Sequence, residues 1–214
     1  MQSLLSGESS GEGERKTGAQ TAMVWALVAV WAAAVVVAGA LGAFVGIAPP
    51  VIPAVVLGAN ALLVGGYRSS ERFRAAVDGI DTRWLLWFQA LRAPIGASFV
   101  YYGALRVLPE RWASHAGWGD LVVGVGAAVL ALSAGESSRA RVTRTAWGVL
   151  GLVDILTVVV HAQYVALVER DARFVAMVGR LPFIVIPMFI VPLVFATHAL
   201  LFARDRDARR APRG

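Results

Sequence analysis

Eight of the polar side chains within the long apolar runs of this sequence are its candidates for chemistry. They are Asn60, Gln89, Arg92, Asp154, Thr157, His161, Tyr164 and His198. An arginine or an aspartate in the middle of a membrane span costs about 2.5–3.5 kcal/mol on insertion scales, so such a residue needs a partner inside the protein. Because Arg92 and Asp154 carry opposite charges within spans, we predict an ion pair between them.

Five of these side chains are predicted to lie at a similar depth when residues are counted from the cytoplasmic end of each apolar run. The five are Asn60, Gln89, Arg92, Asp154 and His198. With a rise of 1.5 Å per residue, their depths differ by only about 6 Å. Pro94 follows Arg92 closely and should free the carbonyl of Ala90 as a further acceptor for the guanidinium. The sequence therefore predicts a polar layer built from four spans.

The fifth apolar run also has a polar stripe at helical spacing. Gly151, Asp154, Thr157, His161 and Tyr164 recur every three or four residues and so share one helix face. Such a face could line an aqueous path or relay protons. It could equally bond neighbouring helices as structural glue.

The apolar runs themselves predict an all-α fold. They fall at 23–48, 50–67, 84–107, 120–134, 145–168 and 181–203. A helix crosses the hydrocarbon core with roughly 20 apolar residues, and lipid requires its backbone to be hydrogen-bonded internally. Composition agrees, since 57% of residues are hydrophobic and 16% are charged, against about 25% charged in soluble domains. We predict a polytopic membrane protein, a bundle of six transmembrane helices.

Charge and composition predict three segments and an orientation. Residues 1–21 are polar and rich in Gly and Ser, so we expect a disordered cytoplasmic segment. Residues 22–203 form the transmembrane domain, and residues 204–214 form a basic cytoplasmic tail. Most of the 20 Lys and Arg residues fall on one side of the bundle when both termini are placed inside. This pattern favours the bacterial inner (cytoplasmic) membrane and a lipid bilayer, and it argues against nucleic acid as a partner.

Prolines and connections give further expectations. Pro187 and Pro192 should free the carbonyls of Phe183 and Met188 and, with Pro94, serve as helix hinges; broken helices are common where transporters bind solutes. Residues 68–83 should include a short amphipathic surface helix. Residues 109–120 should form an outer loop in which Asp120 caps the fourth span. The Gly42–Gly46 spacing predicts close helix packing.

Several function classes find no support in the sequence. The absence of cysteine excludes disulfides, thiolate metal sites and cysteine nucleophiles. His161 and His198 differ in predicted depth by about 16 Å, so they cannot bind one haem together. We find no ligand set for zinc, and so predict no metal and no cofactor. Enzyme activity is unsupported, although a lipid-directed enzyme using His161 or His198 is a third and weaker alternative.

A pattern of residues in the third and fourth runs resembles a known class of proteins. It runs from Gln89-Ala90-Leu91-Arg92 through Gly96, Leu108-Pro109, Gly117 and Gly119-Asp120 to Gly124, and extends loosely to Asp154 and the prolines of the sixth run. The pattern is similar to that of uncharacterised small multipass bacterial integral membrane proteins with no assigned function. The resemblance implies the structural class and no particular activity.

The sequence leaves two functional interpretations open. The first is a small permease-like or channel-like protein for a polar or ionic solute, or for a proton, with Arg92 and Asp154 as its central pair. The second is a non-catalytic membrane scaffold or regulatory subunit, bound to a membrane protein partner or a second copy, whose polar residues are packing glue. A water-filled cavity would favour the first interpretation, and a dry core would favour the second.

Overall fold

The computed structural model describes residues 5–133 and 137–210, and the regular elements within these ranges are all helical. The α-helices are α1 (Leu5–Ala40), α2 (Val51–Ser69), α3 (Glu71–Asp78), α4 (Thr82–Ala90), α5 (Arg92–Ala104), α6 (Glu110–Leu132), α7 (Ser138–Leu167), α8 (Ala172–Val178) and α9 (Val191–Arg210). A five-residue π-helix, Ile186–Ile190, leads directly into α9. The predicted all-α fold is thereby confirmed.

Five stretches in these ranges are long and apolar enough to cross a membrane. They are Thr21–Ala40, Val51–Ser69, Glu110–Leu132, Ser138–Leu167 and Ile186–Ala208. The predicted third span is divided into α4 and α5, each too short to cross alone. Leu91 joins them with helical angles (φ −60°, ψ −18°), and Pro94 in the first turn of α5 has no N–H for the carbonyl of Ala90. The pair α4–α5 is the candidate for the sixth crossing.

The N-terminal part of α1 differs from the expected disordered segment. The helix begins at Leu5, whereas its apolar, span-forming part begins at Thr21. Adding residues to an existing helix costs far less than nucleating a new one, which accounts for an extension into a polar sequence. The remaining residues of that segment, 1–4, lie outside the described ranges.

Glycines allow the backbones of α5 and α6 to touch. A Cβ atom on Gly117 would lie only 2.8 Å from the carbonyl oxygen of Gly96, and one on Gly124 would collide with the backbone of Ala93. Two turns further along α5, a Cβ atom on Gly103 would lie 2.7 Å from the Cβ of Ala113. The two helices therefore pack at backbone distance along most of α5, which fixes its first residue, Arg92, against α6.

The expected packing motif at Gly42 and Gly46 is wrong. Both residues lie in the turn that follows α1, with φ angles of +73° and +80°. Only glycine adopts this left-handed conformation without a steric penalty. Their spacing therefore serves the α1–α2 connection and not a helix interface.

The fourth span begins ten residues earlier than its hydropathy indicated. Residues 109–120, expected to form an outer loop, are helical from Glu110 onward, with Pro109 as the preceding residue. Trp112, Ala113 and Ala116 are buried against neighbouring helices. The tryptophan and the polar residues lowered the local hydropathy, and this hid a helix whose small residues face α5.

The predicted surface helix is present as α3, and the C-terminal segment holds it in place. Ala76, Val77 and Ile80 of this region are buried, as its amphipathic pattern predicted. Arg204 of α9 donates hydrogen bonds to the hydroxyl of Thr82 (3.1 Å) and to the carbonyl of Val77 (3.0 Å). Residue 204, which was assigned to a basic tail, is thus part of the packed bundle.

A second ion pair ties the same end of α9 to α7. Asp205 is buried and accepts hydrogen bonds from the Nε (3.1 Å) and Nη2 atoms of Arg144. The helix α9 continues to Arg210, so the described part of segment 204–214 is helical; residues 211–214 lie outside the described ranges.

The sixth span contains the distortion that its prolines predicted, in a different form. Residues 186–190 form a π-helix, in which the N–H of Val191 donates to the carbonyl of Ile186. The carbonyl of Phe183, expected to be freed by Pro187, accepts from the N–H of Ile186 at 3.0 Å. The chain thus satisfies this carbonyl by a tighter local turn, and Pro187 lies inside a widened helical turn.

Candidate functional site

One guanidinium and two carboxylates are buried together between α5, α6 and α7. Arg92 is 2% exposed and Asp120 is 4% exposed, and the side chain of Asp154 is 12% exposed. The Nη2 atom of Arg92 donates to Oδ2 of Asp154, which confirms the predicted contact. The Nε atom donates to Oδ1 of Asp120 at 2.6 Å. We call Arg92, Asp120 and Asp154 the charged triad.

The position of Asp120 corrects the expectation that it caps a helix. It lies in the middle of α6, ten residues after the helix begins, and its carboxylate binds a side chain and not a backbone N–H. The sequence did contain a signal for this role. Asp120 follows Gly117 and precedes Gly124 at helical spacing, so it belongs to the small-residue face that packs on α5 beside Arg92.

Two further glycines make room for the triad. Gly151 of α7 offers its carbonyl to Nη1 of Arg92 at 3.1 Å. A Cβ atom on Gly151 would lie 2.8 Å from Nε2 of His198 and 3.4 Å from Nη1 of Arg92, and one on Gly119 would overlap the carboxylate of Asp154. Any larger residue at these positions would push the charged groups apart.

A second polar group adjoins the triad on the side of α9. Gln89 is fully buried, and its Nε2 atom donates to the hydroxyl of Thr197 at 2.8 Å and to the carbonyl of Val194 at 3.2 Å. The same atom lies 2.6 Å from Nδ1 of His198, whose ring stacks on Trp147. Gln89 and His198 were predicted from the sequence. Thr197 was not, because it lies within an apolar run whose hydropathy a single threonine scarcely changes.

Asn60 of the predicted polar layer and the last three residues of the predicted α7 stripe do not reach the triad. Asn60 donates to the carbonyl of Val56 within its own helix, at 2.9 Å. Thr157 is exposed and donates to the carbonyl of Asp154, and Tyr164 is 50% exposed. His161 lies beside His115 of α6, with ring centres 5.5 Å apart. The stripe on α7 thus begins in the interior, where Gly151 and Asp154 contact Arg92, and its remaining residues follow the edge of the bundle.

A cavity of about 100 Å³ lies beside the triad and has Asp120 in its wall. The rest of its lining is almost entirely apolar and comes from α2, α5, α6, α7, α8, α9, the π-helix and the connections between them. Representative residues are Val56, Phe99, Ile155, Phe183, Met188 and Val191. Asp120 is the one charged residue among the described residues of the lining. Pro187, a predicted hinge, also borders the cavity, whereas Pro94 and Pro192 do not.

Comparison with known proteins places the chain in a family. The family described as "Domain of unknown function (DUF8737)" matches residues 49–204. The chain belongs to the DUF8737 family. No curated protein and no solved structure matches the chain. The DUF8737 region runs from the connection before α2 into α9, so it contains the whole triad, Gln89 and His198.

The charges of this DUF8737 site do not balance. When all three groups are ionised, one guanidinium faces two carboxylates, and the triad has one negative charge in excess. Among residues 5–133 and 137–210, no group of three or more His, Asp and Glu could hold a metal ion. A buried excess charge is costly, and a proton or a bound cation would remove it.

The structure also gives the two carboxylates different surroundings. Asp120 is enclosed and borders the apolar cavity, whereas Asp154 lies at the partly exposed edge of α7. Arg92 contacts both, so a change of charge at one carboxylate alters the pairing of the other. This arrangement can bind a single positive charge and pass it between two carboxylates that differ in their access to the surroundings.

Proposed function

We propose that the protein is a small permease-like membrane protein that moves a cation or a proton through the charged triad. The observation that carries this proposal is the ratio of two buried carboxylates to one buried guanidinium. A purely structural ion pair would need one carboxylate. The second one gives the bundle a site whose charge is completed only by a transported species or by a proton.

The proposed mechanism is an exchange at the triad. With a proton on one carboxylate, Arg92 pairs with the other and the site is neutral. A cation that enters displaces the proton. If the site held both the cation and the proton beside Arg92, it would have one positive charge in excess. Binding of the cation and release of the proton are therefore linked, as in a proton-coupled carrier.

Two irregular helices next to the site supply the flexibility that transport requires. The break between α4 and α5 lies one residue before Arg92, and the π-helix Ile186–Ile190 contributes to the cavity wall. π-Helical turns are frequent at functional sites, and interrupted helices surround the binding sites of many transporters.

The test is proton flux into vesicles that contain the purified protein. A membrane potential set by a potassium gradient and valinomycin drives protons inward, and a trapped pH dye reports them. We expect faster acidification than in protein-free vesicles, and loss of the difference in Asp120→Asn and in Asp154→Asn. Asp207→Asn, which changes an exposed carboxylate, is the matched control and should retain the flux.

Exchange of one cation for one proton moves no net charge and is not driven by the potential, so the assay is repeated without a potential and with external sodium or tetramethylammonium, whose entry should make the interior more alkaline. Flux in any of these conditions that depends on both triad carboxylates supports the permease. Equal changes in internal pH with and without protein under every condition would exclude it.

A scaffold is the second candidate, and the exposed polar stripe favours it. Thr157 and Tyr164 lie exposed on a helix that is long and apolar enough to cross a membrane. Polar side chains facing lipid gain from a neighbouring helix that bonds them. This role would be supported if the wild type retains a partner or a second copy and the double variant Thr157→Val/Tyr164→Phe loses it.

A further inference from the structure

We infer that the cavity beside Asp120 binds a small organic ammonium ion, a cation with a compact apolar body. This inference rests on the proposed function, because it names the class of solute that the permease would take. It starts from the contrast between the cavity wall, which is apolar, and its single charged group, which is a carboxylate.

The apolar wall excludes hydrated inorganic ions from the same position. A sodium or potassium ion needs several oxygen ligands to replace its water, and the lining residues around Asp120 provide almost none. Val56, Ile155 and Val191 instead offer aliphatic carbon, against which an alkyl group is removed from water. The wall therefore selects for a solute that brings its own apolar surface.

The carboxylate of Asp120 selects the charge of the solute. Its Oδ1 atom already accepts from Arg92, and the residue also borders the cavity. An ammonium group there would complete the charge balance of the triad. A neutral isostere would leave the excess negative charge in place, and an anion would add to it, so both should bind less tightly.

The dimensions of the cavity limit the size of the solute. A dry apolar cavity of about 150 Å³ binds benzene in an engineered protein, and this cavity measures about 100 Å³. An alkylammonium with about four carbon atoms suits that volume. The buried Oε1 atom of Gln163, which has no hydrogen-bond partner among the described residues, marks a second polar point in the lining. Gln163 lies eight residues beyond Ile155 on α7, or about 12 Å along the helix.

The experiment is titration calorimetry on the full chain in lipid nanodiscs, with empty nanodiscs as the blank. Three probes of matched shape are compared: isobutylammonium, isobutanol and isobutyrate. We expect isobutylammonium to bind with release of a proton into the buffer, and the alcohol and the carboxylate to bind at least about tenfold more weakly. Equal binding of all three probes, or none of isobutylammonium, overturns the inference.

Two variants test the position of the site. Asp120→Asn keeps the shape of the residue and should weaken isobutylammonium binding about tenfold to hundredfold, the effect of losing one charge-assisted hydrogen bond. Ala162→Leu fills the cavity without touching the triad and should weaken it similarly. Asp207→Asn should bind as the wild type does. Unchanged binding in both test variants would overturn the assignment to this cavity.

The two proposals fail in different ways. Proton flux that depends on the triad, without binding of isobutylammonium, retains the permease and overturns the ammonium site. Isobutylammonium binding that depends on Asp120 and Ala162, without a triad-dependent change of internal pH under any condition, external isobutylammonium included, retains the site and overturns the permease.

Discussion

Arg92 uses all three of its nitrogen atoms in the protein interior. Nε serves Asp120, Nη1 serves the carbonyl of Gly151, and Nη2 serves Asp154. Its five N–H donors make it the one side chain that could satisfy three acceptors on two helices at once. Lysine, with a single compact ammonium group, could not reach both carboxylates in this geometry.

Removing the guanidinium should destabilise the protein strongly. Arg92→Met leaves two buried carboxylates without their partner, so we expect a loss of about 3–5 kcal/mol in the free energy of unfolding. The measurement is equilibrium unfolding by SDS in mixed micelles. Arg180→Met, at an exposed position, is the control and should change stability by no more than about 0.5 kcal/mol.

A second variant separates lost charge pairing from lost packing. Arg92→Met combined with Asp120→Asn and Asp154→Asn removes the stranded charges, and it should recover most of the lost stability. If the triple variant is as unstable as Arg92→Met alone, the packing of the arginine side chain and not its charge holds the bundle together.

The residue pairing could be predicted in part. Arg92 and Asp154 were found because each lies within an apolar run, where a charge requires a partner. Asp120 was missed as a partner because it lies at the edge of its run, where hydropathy does not distinguish a capping residue from a buried one. Thr197 was missed because a threonine scarcely lowers the hydropathy of a span.

At the scale of helices, α5 and α6 form a unit whose contact depends on glycine. Gly117→Ala would place a methyl group 2.8 Å from the Gly96 carbonyl and 2.6 Å from Val100, so the helices must separate. We expect a loss of about 1–3 kcal/mol, typical of overpacking, measured by the same SDS unfolding. The separation should also lower proton flux, because it moves Asp120 away from Arg92.

The control for this substitution is Gly58→Ala in α2. A Cβ atom on Gly58 would meet nothing within 4 Å, so the alanine should be neutral or stabilise the helix by up to about 1 kcal/mol. If both substitutions have the same effect on stability, helix propensity and not close packing determines the outcome at Gly117.

Helix existence could be predicted from hydropathy, and helix boundaries could not. The apolar runs located α2, α7 and α9 because burial in lipid requires continuous apolar sequence. The start of α6 at Glu110 escaped this reasoning, since the buried residues of its first ten, Trp112, Ala113, Ala116 and Gly117, pack against protein neighbours and do not form a continuous apolar run. The π-helix depends on how the chain satisfies carbonyls around Pro187, which no periodicity encodes.

For the whole molecule, the crossing by α4 and α5 decides the topology. If the pair crosses as one span, the bundle has six crossings and both termini lie on one side. Because the chain has no cysteine, single substitutions can report the side of each connection without background. The positions Glu71, Glu110, Ser138 and Glu169 are all exposed.

The topology prediction is tested with a membrane-impermeant maleimide on intact cells. We expect Glu110→Cys and Glu169→Cys to be labelled, and Glu71→Cys and Ser138→Cys to be labelled only after lysis, because basic loops stay inside. If α4 and α5 do not cross, the side of every later connection is reversed. Ser138→Cys is then labelled on intact cells, Glu110→Cys and Glu169→Cys are labelled only after lysis, and Glu71→Cys remains protected. That pattern would contradict the six-span bundle.

The sequence separation within the triad has a consequence for how the protein is made. Asp120 follows Arg92 by 28 residues and Asp154 follows it by 62. At a synthesis rate of about 5–20 residues per second, Asp120 is added to the nascent chain roughly 1 to 6 seconds after Arg92. The α4–α5 segment therefore leaves the ribosome with an uncompensated charge, and its entry into lipid becomes favourable only when α6 arrives. Biogenesis should accordingly proceed by insertion of α4, α5 and α6 as one hairpin, with α7 and α9 added to it afterwards.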